Sequence, residues 1–416
     1  MNITNEDRNY LRELAYRLKA AASDPRMELL RKRWIRHNDL KDAEPLVLTY
    51  PEHEWWELLP PESFHFKEAP LKNWEFSLRS RLYTYETIGD DKVVEATLDV
   101  APIVKNSGWG VEIKAEYPAH KEGELTAAHF EPPLKTDDDF KLLKPDEWDI
   151  DFDQTRGNLE LARDIFGDIL TVRMRWQYCP HLSVFPKLLM MRGLDQMMID
   201  MYDNPDQLLW LINFMRDSLL KNIIKMENLG VLTLNNGADY VGSGGQGFTD
   251  ELPGTIESGR VSLRNIWGHT DGQELVGVSP EMFWQFYLQT HMPLFELIGL
   301  NCFGCCEPVH DRVRYISRIP RLRRVSISPW TDVKIAAEEI GDRYIFSHKP
   351  HVTPIASPKF DEDVVRNTLE KSMTFAKSNG CYYEVIMKAT STVQRDHRRY
   401  PRWVVIAREI AQKIWG

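Results

Sequence analysis

Short apolar runs separated by helical patterns constrain the fold of this chain more than any other feature. Each run holds β-branched or aromatic residues and ends in polar or turn residues, which is typical of buried strands. The eight runs are Leu46–Tyr50, Ile169–Met174, Val231–Asn235, Ser262–Trp267, Leu300–Cys305, Arg324–Ser328, Tyr344–Ser347 and Tyr382–Met387. Eight strands with helices between them predict an α/β protein built as a (β/α)8 TIM-type barrel.

Helix signals lie between these runs. Ser279 precedes Pro280 and an acidic residue, which gives an N-cap and a favourable first turn, and an apolar stripe follows. A similar start at Asp203–Asp206 predicts a helix that ends near Gly230. The apolar spacing over Asp361–Asn379 predicts another helix. Strand and helix patterns therefore alternate, as a barrel requires.

One long segment, residues 52–165, does not fit this repeat. It lies between the first two predicted strands and holds two proline pairs, charged turns and an alternating run around residues 92–104. We interpret it as a large insertion after the first strand that forms a cap over one end of the barrel. The whole chain, residues 1–416, is expected to form one barrel domain with this elaboration.

Charge and cysteine content limit the expected partners and compartment. A formal net charge of −10 disfavours nucleic acid and anionic membranes as partners. The first residues lack the apolar core of a signal peptide, and no apolar run is long enough to cross a bilayer. Five cysteines without disulfide spacing favour a cytoplasmic location. A homodimer is compatible with the sequence, which does not specify an oligomeric state.

The strongest chemical signal is a cluster of cysteines followed by an acid and an imidazole. Cys302, Cys305 and Cys306 lie within five residues of one another. Glu307 and His310 follow at once. Thiolate, carboxylate and imidazole groups together suit a borderline-soft cation such as zinc. Cys305, Cys306 and Glu307 are therefore candidate metal ligands. A pair of inert buried thiols and a vicinal disulfide are the alternatives.

Other polar residues lie where the remaining predicted strands end. In a barrel these ends meet at one rim, where reactive groups gather. The residues expected to converge there are Asn235 and Asn236 after the third strand, His269, Gln273 and Glu274 after the fourth, and His348 and Lys349 after the seventh. No single motif carries this prediction, which rests on the convergence.

Each of these candidates also has an ordinary structural interpretation. Glu274 is either a ligand or general acid–base, or a carboxylate near the start of the following helix. A lone histidine such as His269 or His310 is more often a hydrogen-bonded loop residue. His348 and Lys349 either supply positive charge to an anionic substrate group or lie in a solvated loop.

The glycine-rich segment Gly242–Gly247 does not match a nucleotide-binding motif. It lacks the Lys-Ser/Thr ending of a P-loop and the spacing of a dinucleotide fingerprint. We expect it to form a flexible loop that exposes its backbone beside the pocket. The chain also has no Gly-x-Ser-x-Gly or paired Cys-x-x-Cys motif, so serine-hydrolase and zinc-ribbon functions lack support.

Six short motifs carry a resemblance to a known superfamily. They are Gly304–Pro308 with His310, Ile327–Trp330 with Asp332, Ser347 with Lys349-Pro350, Gln273-Glu274, Val278–Phe283 and Gly242–Gly245. Together they resemble the uroporphyrinogen-decarboxylase superfamily, and more narrowly its corrinoid-dependent methyltransferases. The resemblance extends from the N-terminal helix to the last predicted strand.

This resemblance implies a single (β/α) barrel, an activity and a cofactor. Methyltransferases of this branch bind zinc at the barrel mouth and exchange a methyl group with a cobalt corrinoid, which a separate small protein carries. On this basis the expected catalytic residues are Glu274, His310 and Asn235. The residues expected to face the substrate or the corrinoid are His269, Gln273, Asn236, His348 and Lys349.

The sequence departs from the superfamily in two places. The usual zinc ligands are His-x-Cys on one strand and a later cysteine. Here Cys305 matches the first cysteine, Phe303 occupies the histidine position, and Phe346–Pro350 offers no cysteine. Two alternatives stay open: no metal, or a ligand set that uses Glu274, Cys306, His310 or His348. The Arg-Gln-Ala-Gly-Arg motif of the decarboxylase is absent, which argues against tetrapyrrole decarboxylation.

The sequence and the resemblance together predict a methyltransferase. It would move a methyl group from a small methoxylated donor, with aromatic compounds as the main case, or from a methylamine to the cobalt of a corrinoid protein. A metal-independent decarboxylase or lyase of a carboxylated small molecule is the second hypothesis. A barrel that binds a corrinoid or small ligand without turnover is the third.

Overall fold

The computed structural model describes residues 3–41, 44–118, 126–256, 259–388 and 390–416. Strands and helices alternate through most of this length. In chain order the strands are β1 (Leu46–Tyr50), β2 (Thr97–Val100), β3 (Ile103–Asn106), β4 (Lys114–Glu116), β5 (His129–Glu131), β6 (Trp148–Asp151), β7 (Thr171–Met174), β8 (Tyr240–Val241), β9 (Gly245–Gln246), β10 (Trp267–Thr270), β11 (Leu300–Phe303), β12 (Leu322–Ile327), β13 (Ile345–His348) and β14 (Tyr382–Lys388).

Sixteen α-helices lie in the described part of the chain. They are α1 (Asn5–Ala22), α2 (Pro25–Asn38), α3 (Trp55–Leu58), α4 (Leu71–Tyr83), α5 (Asp137–Phe140), α6 (Phe152–Phe166), α7 (Phe185–Arg192), α8 (Leu194–Asp203), α9 (Pro205–Asn228), α10 (Pro280–Phe283), α11 (Gln289–Phe295), α12 (Val313–Ile316), α13 (Val333–Ile340), α14 (Thr353–Ala356), α15 (Glu362–Ser378) and α16 (Arg399–Trp415). Ser279 caps α10 by accepting from the Met282 N–H, and Asp361 caps α15, which confirms both predicted starts.

Six strands form a parallel sheet at the centre of the molecule. Their order is β1-β14-β13-β12-β11-β10, and each neighbouring pair is parallel. All six carboxyl ends therefore lie at one edge. Helices connect successive strands from β10 to β14, and α16 follows β14. The predicted α/β class is confirmed.

Six of the eight predicted runs contribute to this sheet, one of them displaced. A 3-10 turn occupies Leu263–Asn265, so β10 begins at Trp267 rather than ending there. The run Ile169–Met174 yields β7, which pairs in parallel with β2 outside the central sheet. The strand predicted at Val231–Asn235 is wrong. A closed eight-stranded barrel stays a prediction.

A buried asparagine explains why residues 231–235 do not pair as a strand. The Asn235 side chain donates to the carbonyls of Tyr178 (2.8 Å) and Trp267 (3.0 Å), and its own oxygen accepts from the Trp267 N–H (2.8 Å). One side chain thus makes the hydrogen bonds that a strand ladder would make with its backbone. The segment follows the edge of β10 without joining it.

The two faces of the central sheet differ in polarity. One face packs apolar side chains against α13, α15 and α16; Val47, Val325, Phe346, Tyr383 and Val385 belong to that core. The other face, called the polar face below, carries Cys302, Arg324, Ser326, Ser347 and Glu384, all buried. Because side chains alternate along a strand, each of these strands contributes to both faces.

The glycine-rich segment covers the polar face, which corrects the prediction of a flexible exposed loop. Residues 241–249 are all buried, and β8 and β9 pair within this segment. A Cβ on Gly242 would lie 3.1 Å from that of Cys302, and a Cβ on Gly245 would lie 2.5 Å from Cζ of Arg324. Glycine is therefore required for close approach of backbone to side chain, not for mobility.

The insertion after β1 packs on the amino-terminal helices. Its helices α4 and α6 share a hydrophobic core with α1, α2 and the β1 residues Leu46 and Leu48. It also holds two antiparallel strand pairs, β3–β6 and β4–β5. Its role as a cap stays a prediction. Among the helices of the described residues, none combines the length and apolar character needed to cross a membrane.

Candidate functional site at the carboxyl edge of the sheet

Two imidazoles and a carboxylate form a compact cluster where β10 ends. His269 lies in β10 and Asp271 follows it. His181 reaches the same point because its segment pairs with β10: the His269 N–H donates to the Pro180 carbonyl (2.9 Å), and the Leu182 N–H donates to the His269 carbonyl (2.8 Å). The ligand-type atoms of the three side chains lie within 4.8 Å of one another. These three residues are called the histidine–aspartate cluster.

One oxygen of Asp271 contacts both imidazoles of the cluster, whereas two other buried polar atoms of the cluster have no hydrogen-bond partner among the described residues. Asp271 Oδ2 lies 3.2 Å from His181 Nε2 and 3.4 Å from His269 Nε2. Asp271 Oδ1 and His269 Nδ1 are buried and have no hydrogen-bond partner in the described part of the chain. Such atoms are uncommon in folded proteins and indicate a missing partner.

Burial and mutual charge perturb the three groups in different directions. Burial opposes ionisation of Asp271, but the hydrogen bonds from His181 and His269 outweigh it and hold the pKa of the carboxyl well below its usual range. Burial likewise opposes the charge on His181, yet the hydrogen bond to Asp271 raises the pKa of that imidazole. In His269, whose side chain is 12% exposed, burial dominates and lowers the pKa. Perturbations of this kind are typical of functional sites.

The adjacent thiols of Cys305 and Cys306 lie beside this cluster, beyond the end of β11. Their sulfurs are 3.6 Å apart, and the Ser243 hydroxyl lies 3.6 Å from Cys305 Sγ. The hydrogen bond from Cys306, opposed by burial and supported by the Lys388 charge, lowers the pKa of the Cys305 thiol. Cys306 is exposed, whereas Cys305 is half-buried. A thiolate at Cys305 is therefore accessible from solution near neutral pH.

Glu307 joins the turns that follow β10 and β11. Its Oε1 accepts from the Gly272 N–H and its Oε2 from the Cys305 N–H, both at 2.9 Å. The side chain is fully buried, and this burial, with the nearby Asp271 charge, raises the pKa of Glu307 to about 7. Both oxygens are thus used by the backbone. A metal at Glu307, as predicted from the sequence, would compete with these two hydrogen bonds.

Glu274 lies on the same edge and carries a free oxygen. Its Oε2 is buried without a hydrogen-bond partner among the described residues. Burial raises the pKa of the carboxyl, and its charge interacts with those of Asp271, His181 and Cys305. The expected convergence of Glu274, His269 and Cys305 at one edge is therefore present, although their roles stay predictions.

Lys388 ends β14 and supplies the positive charge of the site. Its Nζ donates to the Tyr240 hydroxyl (2.8 Å) and the Ser243 hydroxyl (3.3 Å), and lies 3.5 Å from Glu52 Oε1. The ammonium also lies over the Tyr50 and Tyr240 rings, 5.8 Å and 5.4 Å from their centroids. Cation–π contacts of this kind hold a buried ammonium without full neutralisation.

The remaining predicted residues lie away from these groups or are committed elsewhere. His348 lies on the helix-facing side, where its Nδ1 pairs with the Tyr383 hydroxyl at 2.8 Å. His310 Nδ1 accepts from the Asp332 N–H (3.2 Å) at the start of α13. Asn236 donates to the Leu252 carbonyl (2.8 Å), and Gln273 is exposed.

Lys349 and Asn235 are also buried near the sheet. The ammonium of Lys349 donates to the Ser347 hydroxyl (2.7 Å), and burial lowers the pKa of Lys349 to about 7. Lys349 follows β13 on the polar face, where its charge interacts with that of Cys305. Asn235 holds the backbone at Trp267, so its observed contacts are structural.

A cavity of about 480 Å³ lies between the insertion and this edge of the sheet. Its lining includes the rings of Tyr50, Tyr178, Tyr240, Trp55 and Phe76. Tyr50 and Tyr240 also contact Lys388, so the cavity adjoins the thiol site through these rings. A second cavity, of about 920 Å³, is lined by residues at the amino ends of the strands, such as Gly299 and Arg321, away from the groups described above.

Both arginines that line the 480 Å³ cavity contact groups of the chain itself. The Arg173 Nε lies 2.5 Å from Asp99 Oδ1, and its NH2 lies 3.3 Å from Asp239 Oδ1. Arg81 donates to the carbonyls of Glu95 and Thr97. The walls of this cavity are aromatic, and its arginines already contact carbonyls or carboxylates of the chain. Such a cavity favours an uncharged, partly aromatic ligand.

Several residues of this site are not predictable from the sequence signals. His181 lies outside every predicted strand, and only its bridge to β10 brings it to the cluster. Ser243 belongs to the segment expected to be a flexible loop, Gly242–Gly247, and Tyr240 lies just before it. Lys388 is the exception, because it directly follows the last predicted strand, Tyr382–Met387, and the rule that selected residues at the other strand ends applies to it.

Comparisons with known proteins give little further information. No family model matches the chain. No curated protein matches it. A solved structure of a methyltransferase from Methanosarcina mazei is similar, with a TM-score of 0.49 and 10% sequence identity over 93% of this chain and 99% of that chain. The resemblance to the uroporphyrinogen-decarboxylase superfamily therefore stays a prediction.

Proposed function

We propose that this protein is a methyltransferase. Its methyl donor is a small methoxylated compound, with aromatic compounds as the main case, or a methylamine. The acceptor is the cobalt of a corrinoid that a separate protein carries. The observation that carries the proposal is the convergence of three kinds of group at one open edge: the Cys305 thiol, the Glu274 carboxyl and the histidine–aspartate cluster. The motif resemblance given above supplies the reaction class, in which a barrel mouth holds the donor.

Glu274 meets the main chemical requirement of demethylation, a proton for the leaving atom. When the methyl–oxygen bond breaks, its electron pair stays on the oxygen, and protonation of that oxygen makes it a better leaving group. Burial raises the pKa of Glu274, so it retains its proton closer to neutral pH than an exposed carboxyl does. The methyl carbon accepts the electron pair of the reduced cobalt as the oxygen accepts the Glu274 proton.

The aromatic cavity supplies the binding surface for the donor. Tyr50, Tyr178 and Tyr240 offer ring faces and hydroxyls to a methoxylated ring. Lys388 lies directly behind two of these rings and stabilises negative charge that develops on the leaving oxygen. A donor bound there would place its methyl group toward the solvent-exposed edge, where a protein acceptor can reach it.

The zinc expected from the resemblance fits part of the predicted ligand set. Two ligands about 2.3 Å from a tetrahedral ion lie about 3.8 Å apart, close to the 3.6 Å between the sulfurs of Cys305 and Cys306. Glu307 does not fit, because both its oxygens accept backbone hydrogen bonds. A zinc ion bound to the thiols would act as a Lewis acid toward the leaving atom.

The decarboxylase alternative requires cations free to bind substrate carboxylates. Arg81, Lys92 and Arg173 line the cavity, but each contacts carbonyls or carboxylates of the chain itself. Nothing in these contacts favours that alternative over methyl transfer.

A donor panel tests the proposal. The protein is incubated with chemically reduced cobalamin, and in parallel with a reduced corrinoid protein, and with methoxylated aromatics, methylamines and methylthiols. Methyl–cobalt formation is followed by absorption and the demethylated product by chromatography. We expect turnover with at least one donor class. Carbon dioxide release without corrinoid, or no product across the whole panel, would contradict the proposal.

A matched pair of variants connects turnover to the site. Glu274→Gln removes the proton donor with little change in volume, whereas Glu296→Gln makes the same change at an exposed carboxylate outside the site. The first variant should lose methyl transfer and the second should retain it. Equal activity of the two variants would exclude Glu274 as the acid.

A further inference from the structure

The histidine–aspartate cluster has the composition and spacing of a metal site that differs from the thiol-based set expected from the sequence. Two imidazole nitrogens and one carboxylate oxygen converge within 4.8 Å. Two ligands about 2.1 Å from a tetrahedral ion lie about 3.4 Å apart. The observed distances of Asp271 Oδ2 from the Nε2 atoms of His181 and His269 are 3.2 Å and 3.4 Å, so these two pairs already have about the separation that an ion requires.

The unused atoms of the cluster are the second observation that points to a ligand. Asp271 is 5% exposed, and its Oδ1 has no hydrogen-bond partner among the described residues. His269 Nδ1 is also buried and unpartnered. A purely structural His–Asp–His arrangement would leave two buried polar atoms unsatisfied, and each such atom destabilises the folded state. A cation bound by the carboxylate and the imidazoles would change the orientation of these side chains, and with it the surroundings of Asp271 Oδ1 and His269 Nδ1.

The surrounding structure holds the backbone of the three residues in place. The Tyr287 hydroxyl donates to the Asp271 carbonyl and contacts the Thr270 hydroxyl. The backbones of His181 and His269 are joined by a bridge, which keeps the two residues side by side at the end of β10. Metal sites require such outer support for their ligands, because it fixes the direction of each ligand atom.

We propose that His181, His269 and Asp271 bind a divalent transition cation of the zinc class. Two imidazoles and one carboxylate form the protein part of catalytic zinc sites that leave one position for water or substrate, and the same set suits ferrous iron. The site does not depend on the methyl-transfer proposal, because metal binding is measured without a donor or a corrinoid. It also assigns Cys305 and Cys306 a role other than that of principal ligands.

Metal content separates this site from a thiol site. The full-length protein is produced in zinc- and iron-supplemented medium, purified without chelator, dialysed and measured by plasma mass spectrometry. We expect about one metal ion per chain, with the identity of the metal given by the same measurement. His269→Gln and Asp271→Asn should lower the metal content at least about tenfold, whereas Cys305→Ala, Cys306→Ala and the control His310→Gln should retain it.

Cobalt substitution gives a readout that does not depend on copurified metal. Apoprotein titrated with Co²⁺ should develop visible d–d bands that saturate at about one equivalent in the wild type and in Cys305→Ala, but not in Asp271→Asn. Circular dichroism and thermal melting confirm that each variant is folded. Metal-free wild type with no cobalt spectrum would overturn the proposal. Loss of metal in the thiol variants with retention in folded His269→Gln and Asp271→Asn would overturn it as well.

Discussion

Two clusters of buried charge lie on the polar face of the same sheet, and they differ in what surrounds them. In the middle of the sheet, Glu384 Oε1 lies 2.9 Å from Arg324 Nε, and Ser347 donates to the same carboxylate. At the carboxyl edge, Asp271 shares one oxygen between two imidazoles and leaves the other without a partner. The first cluster is covered by the glycine-rich segment. The second adjoins an exposed thiol and a cavity.

This contrast distinguishes charges that hold the fold from charges that are available to a ligand. Burial opposes ionisation of Glu384, but the Arg324 charge outweighs burial and holds the pKa of the carboxyl well below its usual range. Arg324 also donates to Asn38 Oδ1 (2.7 Å), which joins the network to α2. A neutralised interior pair specifies one arrangement of the chain, whereas a carboxylate at an edge that adjoins an exposed thiol and a cavity is available to a ligand.

The largest expected effect is the loss of the central pair. Glu384→Gln leaves the Arg324 guanidinium buried without its counter-charge, so the free energy of unfolding should fall by about 3–5 kcal/mol. Urea unfolding followed by circular dichroism measures the change. The control is Glu370→Gln, which breaks the surface pair with Lys413 and should cost less than about 1 kcal/mol. A similar loss of unfolding free energy in the two variants would show that the Glu384–Arg324 pair stabilises the fold no more than a surface pair does.

Loss of the proposed acid should affect turnover but not stability. Glu274→Gln should lower the methyl-transfer rate by about 10²-fold or more, since general acid catalysis contributes on that order. Its unfolding free energy should stay within about 1 kcal/mol of the wild type, because Glu274 Oε2 has no hydrogen-bond partner among the described residues that the substitution could remove. Steady-state rates and urea unfolding are measured on the same preparation. A fall in the unfolding free energy of several kcal/mol in Glu274→Gln would place Glu274 among the charges that hold the fold.

The buried Lys349 should give the protein a distinctive dependence of stability on pH. Its pKa is lowered by burial to about 7, below the value of an unfolded lysine. Between these two values the unfolded chain binds more protons, so the free energy of unfolding should rise as the pH increases from about 7 toward about 10. Lys349→Met should flatten this rise, whereas the exposed Lys371→Met should not. Urea unfolding at three or four pH values measures the slopes.

Replacing the edge carboxylate should cost much less than replacing the central one. Asp271→Asn keeps the side-chain volume but loses the carboxylate that contacts two imidazoles. Because the His181 side chain is 38% exposed and stays solvated, the metal-free protein should lose only about 1–2 kcal/mol. Thermal and urea unfolding of metal-free protein test this against Glu384→Gln. A loss of several kcal/mol would show that the cluster stabilises the fold in the same way as the central pair.

The smallest expected effect on stability is at the exposed thiol. Cys306→Ala should change the unfolding free energy by about 0.5 kcal/mol or less, since surface substitutions seldom do more. It should nonetheless slow alkylation of Cys305 by iodoacetamide at neutral pH, because the hydrogen bond that lowers the pKa of this thiol is removed. Peptide mass spectrometry of the metal-free protein resolves the rates. The buried thiol of Cys381 serves as the internal control.

The parts of the fold that depend on local pattern are predictable from the sequence. Strands β11 to β14 and the capped starts of α10 and α15 lie where apolar runs and N-cap residues place them. The parts that depend on one distant side chain are not. Asn235 replaces a strand ladder with three side-chain hydrogen bonds, and the sequence gives no sign of the Trp267 backbone that they require.

The candidate site shows the same division. Glu274, His269 and Cys305 are predictable because they follow strands whose carboxyl ends share one edge. His181 is not, because it is brought there by an isolated bridge outside any strand pattern. The role of Glu307 is also not predictable from the sequence. Its chemistry suggests a metal ligand, whereas in the structure both of its oxygens accept hydrogen bonds from backbone N–H groups.

The close approach of Gly242 and Gly245 to Cys302 and Arg324 has a kinetic consequence. Backbone fills the interior beneath the thiols, so a donor that reaches Cys305 must come in from the rim. Under the proposed function, a bulky acceptor protein would present its cobalt from that same direction. Once docked, it would obstruct the approach that both share. Product-inhibition patterns should therefore reveal a compulsory sequence, with the small molecule bound first and the protein second.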